Sequence, residues 1–277
     1  LRTEALETWL KAGYHAEMKW MEAPRRKNIE TLLEGVKSVI AVGLNYFVDK
    51  KPDEKSLLIG RYAWGSDYHK TIEKRLKLMG KWLELEKPKC KWKVCVDSTS
   101  LLEKAWAEEA GLGWIGKHTN LINKNNGSWM VLGYLLCTET LLYDEPSKPL
   151  CGKCKKCLEA CPTKAITEPF VVDSNLCLSY HTIESRSSEL PENIQKSMGR
   201  WVAGCDICQD ICPWNKQKIT SSEDPAVQPK EWVLNLKKHE VMEWSDTEWK
   251  ENLQNSALKR IKPWMWKRNA KGIKIDH

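Results

Sequence analysis

The sequence predicts an α/β (α+β) domain over residues 1–145, followed by a cysteine-rich module over 146–216 and a helical, basic segment over 217–277. Three observations support this prediction. Apolar runs of strand and helix character alternate in the first part. Eight of the eleven cysteines lie close together in the second part. Polar stretches separate the three parts, as expected for connections between packed units.

Strands and helices alternate along the first part. Apolar runs over residues 37–46 and 92–97 predict buried strands. Further strands are expected over 119–123 and 128–138, joined by a hairpin turn at Asn126–Gly127. We expect helices over residues 3–12, over 67–86 with Ile72, Leu76, Met79 and Leu83 on one face, and over 100–110 with Ser100 as its cap. This order predicts a layered structure with a mixed sheet.

The first cysteine run, CGKCKKCLEACP, spans Cys151–Pro162. Its spacing, C-x2-C-x2-C-x3-C-P, is that of bacterial ferredoxins. Two-residue gaps let three thiolates converge on one 4Fe-4S cluster, whereas the x3 step begins a helical turn and points Cys161 away. Cys161 is therefore predicted to serve a second cluster.

The second run, CDICQDICP, spans Cys205–Pro213 and lacks its first cysteine, because Val202 stands at that position. Cys177 is the only cysteine between the two runs and is predicted to replace the missing ligand. The module is therefore ferredoxin-like, with two crosswise 4Fe-4S clusters. The predicted ligands are Cys151, Cys154, Cys157 and Cys212 for cluster one, and Cys161, Cys177, Cys205 and Cys208 for cluster two.

The alternative to iron–sulfur clusters is a pair of zinc knuckles. Zinc sites use cysteine pairs in separate loops, and a third cysteine two residues on, followed by Cys-Pro, does not fit them. The spacing therefore favours iron–sulfur clusters. Cys90, Cys95 and Cys137 fall outside the pattern, and the last two are predicted to be buried core thiols.

Composition sets broad limits on function. The net charge of +7 permits an anionic partner such as RNA, although a solvated mixed-charge surface fits it equally well. No stretch approaches the length of a membrane span, so we expect a cytoplasmic protein. Because the chain begins at Leu1 rather than Met, we expect that an N-terminal piece is missing. The basic tail, with Trp264 and Trp266, suits either RNA contact or an amphipathic helix packed on the core.

Three features outside the cysteine runs suggest a site. Gly111, Gly113 and Gly116 spell G-x-G-x-x-G, but a predicted helix precedes them and strands follow, so a ligand-facing loop is favoured over a dinucleotide site. Asp97 closes a strand, where it could be a general acid with a raised pKa or a helix cap. The segment RYAWGSDYH, residues 61–69, is unusually rich in polar and aromatic side chains.

Together these residues resemble the epoxyqueuosine reductase family, the cobalamin-dependent iron–sulfur enzymes of tRNA queuosine synthesis. The similarity extends over nearly the whole chain. The matching segments are PRRKNIETLLEGVKSVIAVGLNY, RYAWGSDYHK, VDSTSLLEKAWAEEAGLGWIGKHTNLI, CGKCKKCLEACPTKAI, CLSYHTIE and GCDICQDICPWN.

The resemblance implies a cobalamin held between the N-terminal domain and the cluster module, in a fold similar to that of reductive dehalogenases. It implies reduction of the epoxide of epoxyqueuosine in a tRNA anticodon loop, with electrons from flavodoxin or ferredoxin and a monomeric enzyme. It assigns Asp97 as proton donor and cofactor contact. The other implied cofactor-contacting residues are Arg61, Tyr68, His118 and Ser179, with Tyr180 nearby.

The chain departs from the family in two respects. Ser100 stands where the family usually has proline, so we expect the local backbone to differ from that of the family. Many members also carry C-terminal helical repeats, and from its length we expect this chain to lack them. A dehalogenase-like reductase acting on a small molecule is the main alternative. An electron carrier and an RNA-binding module with structural clusters are two others.

Overall fold

The computed structural model describes residues 2–217 and 219–274. The predicted three-part division extends over Leu1, Lys218 and residues 275–277, which lie outside the described residues. The helices are α1 Thr3–Lys11, α2 Tyr68–Glu86, α3 Glu103–Glu109, α4 Lys156–Ala160, α5 Leu178–Ile183, α6 Glu192–Ser197, α7 Ile207–Asp210, α8 Pro213–Lys216, α9 Glu231–Asn235, α10 Lys238–Glu243, α11 Asp246–Asn252 and α12 Pro263–Gly272. The strands are β1 Ser38–Asn45, β2 Leu58–Ile59, β3 Trp92–Cys95, β4 Trp114–Ile115, β5 Leu121–Ile122, β6 Met130–Cys137, β7 Ile166–Glu168, β8 Val171–Val172 and β9 Trp201–Ala203.

The N-terminal part is built on a three-stranded sheet in the order β1-β6-β3. Strand β6 is buried along almost its whole length, because it lies in the middle and both its faces are covered. Ser38 pairs with Cys137 on one side of β6, and Trp92 pairs with the same Cys137 on the other. Both pairings are antiparallel, so the expected mixed sheet is wrong for these three strands.

Helix α2 covers one face of this sheet. Asp67 caps it by accepting a hydrogen bond from the backbone N–H of His69, so the helix begins where the sequence predicts. Its buried face differs from the prediction at one position: Met79 is 37% exposed and Gly80 faces the sheet. A Cβ at Gly80 would lie 2.5 Å from the ring of Trp92, so only glycine allows this close approach.

Two further local predictions are corrected. The turn at Asn126–Gly127 closes only a single bridge between Asn123 and Gly127. The strands on its two sides then diverge, since β5 pairs with β4 whereas β6 joins the central sheet. Helix α3 begins at Glu103, and Leu102 occupies its cap position, so Ser100 does not cap it. Ser100 is instead buried two residues ahead of the cap position.

The three parts share a hydrophobic core. Strand β2 of the first part pairs in parallel with β9 of the cysteine-rich part. Ile59 of β2 and the preceding Leu57 pack in one cluster with the C-terminal helices, where Trp266 of α12 is completely buried. Trp264 on the same helix is 43% exposed. The boundaries at residues 145 and 216 remain a prediction. They separate segments of the sequence whose side chains pack together in one hydrophobic cluster.

Candidate active site

The eight predicted ligands form two groups, each beside its own cavity. One cavity is lined by the thiols of Cys151, Cys154, Cys157 and Cys212. The other four thiols, those of Cys161, Cys177, Cys205 and Cys208, line a much larger cleft. Four thiolates around one space are the donor set of a 4Fe-4S cluster, so the residues fit the predicted crosswise pairing.

Short helices produce this crossing. Cys157 lies in α4, and Cys161 follows that helix in extended backbone. Cys212 likewise stands in extended backbone immediately before α8, which begins at Pro213. Helices α4 and α7 pack against each other. Each crossing cysteine therefore leaves its own run at a helix boundary and reaches the space beside the other run.

The large cleft has a volume of about 1360 Å³ and is lined by residues from all three parts of the chain. Four of the predicted site residues line it: Tyr68, Asp97, His118 and Ser179. The loop predicted from the glycine pattern also contributes to the lining, and its residue Thr119 has a positive φ of 66°. The cleft thus joins the thiols of cluster two to the predicted proton donor.

Asp97 lies just beyond the end of β3 with a φ of +46°, a conformation that is strained for most residues but that aspartate tolerates. The Nε2 atom of His69 is 3.1 Å from its Oδ2 atom. The Nδ1 atom of the same ring is 2.7 Å from Oδ1 of Asp67. The imidazole therefore connects two carboxylates, one of them at the cap of α2.

The pKa shifts place the proton on the imidazole. Burial alone would lower the pKa of His69, but hydrogen bonds to Asp67 and Asp97 raise it to about 9. The hydrogen bond from His69 lowers the pKa of Asp97. Of the two alternatives considered for Asp97, the raised pKa is therefore wrong, because an imidazolium ion stabilises the carboxylate.

Glu103 is a site residue that sequence reasoning missed. Its Oε1 atom accepts a hydrogen bond of 2.6 Å from the backbone N–H of Asp97. Burial and the neighbouring charge of Asp97 raise the pKa of Glu103 to about 7. Its place in the first turn of α3, six residues after Asp97, was the available sequence signal.

His118 lies between the two cavities and lines both. It is 3% exposed, and burial, together with the charge of Lys104, lowers its pKa to about 4, so its ring is neutral. Its Nδ1 atom accepts a hydrogen bond from the backbone N–H of Asn120, while its buried Nε2 atom has no partner among the described residues. Such an atom can pair with water or with a group bound in either cavity.

Arg61 and Tyr180 lie elsewhere. The guanidinium group of Arg61 donates to Asp210 at 2.7 Å and lies 3.5 Å from Asp206, and it is not part of the cleft lining. Tyr180 is also outside the lining, and its hydroxyl accepts a hydrogen bond from the backbone N–H of Glu17. Arg61 therefore joins the first part to the second cysteine run, and its predicted cofactor contact has no support from this geometry.

A double-cluster module next to a large cleft with an acid–base network is the arrangement of an iron–sulfur oxidoreductase, a protein that brings electrons and protons to one site. Two family profiles match the chain: "4Fe-4S double cluster binding domain" over residues 150–215 and "Epoxyqueuosine reductase QueG, DUF1730" over residues 26–98. The first confirms the predicted double cluster.

Curated relatives named epoxyqueuosine reductase match almost the entire chain. The protein of Prochlorococcus marinus (strain NATL2A) is 61% identical, with 99% of this chain and 88% of the relative covered. That of Synechococcus sp. (strain CC9605) is 57% identical, with 100% and 86% covered. A crystal structure of epoxyqueuosine reductase with an epoxyqueuosine-modified tRNA-Tyr stem loop matches with a TM-score of 0.90 at 27% identity, covering 97% of this chain and 72% of that one. This chain belongs to the epoxyqueuosine reductase family, as its sequence motifs predicted.

The described residues contain no helix with the length and apolar character needed to cross a membrane. The cytoplasmic location and the monomeric state remain predictions.

Proposed function

We propose that this protein reduces the epoxide of epoxyqueuosine in a tRNA anticodon loop to the alkene of queuosine. Cobalamin in the large cleft would act with electrons from the two 4Fe-4S clusters. The observation that carries the proposal is that the thiols of cluster two and the carboxylate of Asp97 line the same cleft. Electrons and protons can therefore be delivered to one substrate.

The residues of the cleft fit a large cofactor. The space is large, and the neutral ring of His118 has an Nε2 atom in need of a partner. Tyr68 and Ser179 contribute further polar groups to the lining. Cobalamin, when bound, supplies a reduced cobalt able to attack or reduce a strained carbon–oxygen bond. Because the thiols of cluster two also line the cleft, that cluster would be the one beside the cofactor.

The network of Asp67, His69 and Asp97 supplies a proton. The reaction consumes two electrons and two protons, and the epoxide oxygen leaves as water. At neutral pH the proton rests on His69, 3.1 Å from Oδ2 of Asp97. The carboxylate of Asp97 takes this proton from the imidazolium ion and passes it to the departing oxygen, while the charge of Asp67 holds the ring in place.

Glu103 positions the proton donor. Its carboxylate holds the backbone N–H of Asp97 and so fixes the strained residue at the cleft wall. Because such a conformation persists only when its surroundings hold it, loss of this hydrogen bond would let Asp97 leave the cleft.

Basic side chains at the cleft suit the phosphates of the RNA. Arg25 and Arg26 line the cleft from the N-terminal part, and Lys259, Arg260 and Lys262 line it from the C-terminal segment. Cationic side chains on both sides can neutralise the backbone of a folded-out anticodon loop. The similar solved structure contains a tRNA stem loop, which supports RNA as the partner.

The test is anaerobic reconstitution with iron, sulfide and cobalamin and reduction with a chemical reductant, followed by single-turnover reaction with epoxyqueuosine-tRNA and nucleoside mass spectrometry. Wild-type protein is expected to remove one oxygen. Asp97→Asn is expected to lose about 100-fold or more in rate, and Asp49→Asn, an exposed control outside the cleft, should match wild type. Absence of conversion by fully loaded wild type would refute the substrate assignment and favour a related cobalamin reductase.

A further inference from the structure

We propose that an acidic one-electron carrier protein of the flavodoxin or ferredoxin type docks on the exposed lysine-rich loop that holds cluster one. This loop, residues 148–164, is called the entry loop below. The proposal rests on the proposed function and adds the place where electrons enter the protein.

The position of the two thiol groups sets the direction of electron flow. The thiols of cluster two line the cleft, so that cluster is the one beside the reacting centre. The thiols of cluster one lie in a separate cavity. Cys157 and Cys212 are buried, but Cys151 and Cys154 on the entry loop are partly exposed, so cluster one would reach solvent on that side. An outside donor therefore reaches cluster one without entering the cleft.

The entry loop is strongly basic. It has one carboxylate, Glu159, and five lysines, all exposed, at positions 148, 153, 155, 156 and 164. No carboxylate of the described chain forms an ion pair with any of the five. Their charge is thus available to a partner, and exposed charges of one sign around a small target raise association rates with proteins of opposite charge.

The loop is also held in shape. The ammonium group of Lys117 donates to the carbonyl oxygens of Gly152 and Cys154, at 2.6 and 2.9 Å. Next to the first ligand, Leu150 is 46% exposed and provides an apolar contact among the lysines. An apolar centre with a charged rim is the usual composition of a small, transient interface.

The RNA and the carrier would approach different surfaces. The basic residues proposed for RNA line the cleft, whereas none of the five lysines of the entry loop does, and only its last part, Cys161, Pro162 and Thr163, contributes to the described lining. Both partners are polyanions, so separate surfaces allow electron delivery while the substrate is bound.

The test uses the reconstituted enzyme with the triple variant Lys153→Glu, Lys155→Glu and Lys156→Glu. Cluster reduction is followed by visible absorbance after anaerobic mixing with reduced flavodoxin at several salt concentrations. The matched control places the same charge change on another exposed surface, as Lys81→Glu, Lys87→Glu and Lys89→Glu. Reduction by photoreduced 5-deazariboflavin, an uncharged donor, reports whether the clusters are intact.

At low salt the entry-loop variant is expected to react with flavodoxin about tenfold or more slowly than wild type, and the difference should shrink as salt screens the charges. Its iron content, deazariboflavin rate and tRNA affinity should be unchanged. Equal flavodoxin rates for the two triple variants would overturn the proposal, and a loss of tRNA affinity alone would assign the loop to RNA.

If the triple variant fails to assemble clusters, the double variant Lys148→Glu and Lys164→Glu replaces it. Neither of these lysines is next to Cys151, Cys154 or Cys157 in the sequence. A salt-dependent loss of flavodoxin rate in this variant supports docking, and an unchanged rate counts against it. Because the readout is cluster reduction, the result is independent of whether epoxyqueuosine is the substrate.

Discussion

The proton held by His69 predicts a specific pH dependence of the reaction. With a pKa of about 9, the imidazole is about 99% protonated at pH 7 and about 10% protonated at pH 10. If this proton resupplies Asp97, the single-turnover rate falls about tenfold between these two pH values. The rate is therefore expected to be highest below the raised pKa of His69 and to fall as the pH rises through that value.

Two variants test the origin of the shift. Asp67→Asn keeps an oxygen for the ring and for the cap of α2 but removes the charge, so the alkaline fall should move to lower pH. His69→Gln removes the proton store, so the fall near pH 9 should disappear and the rate at pH 7 should drop about 100-fold. The assay is nucleoside mass spectrometry on pre-reduced enzyme of equal iron and cobalamin content. An unchanged alkaline limb in both variants would refute the proposed role of His69.

Three further predictions concern positioning, clusters and stability. Glu103→Ala should lower the rate about tenfold by removing the acceptor for the backbone N–H of Asp97, whereas Glu103→Gln, which keeps an acceptor, should recover most of it in the same assay; equal losses would contradict the positioning role. Cys177→Ala should reduce bound iron by about half, measured by iron analysis and electron paramagnetic resonance. The control Cys90→Ala should keep the wild-type iron content. A wild-type iron content in Cys177→Ala would show that Cys177 is not a ligand. Trp266→Ala should lower the free energy of unfolding, measured by denaturant titration, by about 3–5 kcal/mol because its side chain is fully buried. Trp264→Ala should have only a small effect in the same titrations. Similar losses at both positions would show that α12 packs differently.

The cysteine module was the part best predicted from sequence, because its information is local. The spacing of each run fixes which thiols can converge, and the crossing of Cys161 and Cys212 follows from helix boundaries within a few residues of each. Strands and helices with long apolar patterns, such as β1 and α2, were also predicted correctly. The hairpin at Asn126–Gly127 was not, because the turn signal is local while strand pairing depends on distant partners.

The acid–base network was only partly predictable. Asp97 and the segment with His69 both attracted attention, but they lie 28 residues apart and their contact depends on how α2 packs beside β3. Arg61 shows the opposite case, since the family resemblance implied a cofactor contact that the geometry does not support. Its partner Asp210 is 149 residues away, in the second cysteine run, where only the cysteines were interpreted.

The parallel pairing of β2 with β9 has a consequence for how such enzymes can be rearranged. A fragment of residues 146–216 would lose the partner of β9, and Ile194, Met198 and Val202 would lose their cover from the C-terminal helices. Such a fragment is expected to aggregate, even with every cysteine ligand present. Exchange of cluster modules between related enzymes would therefore have to transfer the C-terminal helices as well. The cysteine-rich segment and the helices that cover its apolar side chains thus form one exchangeable unit.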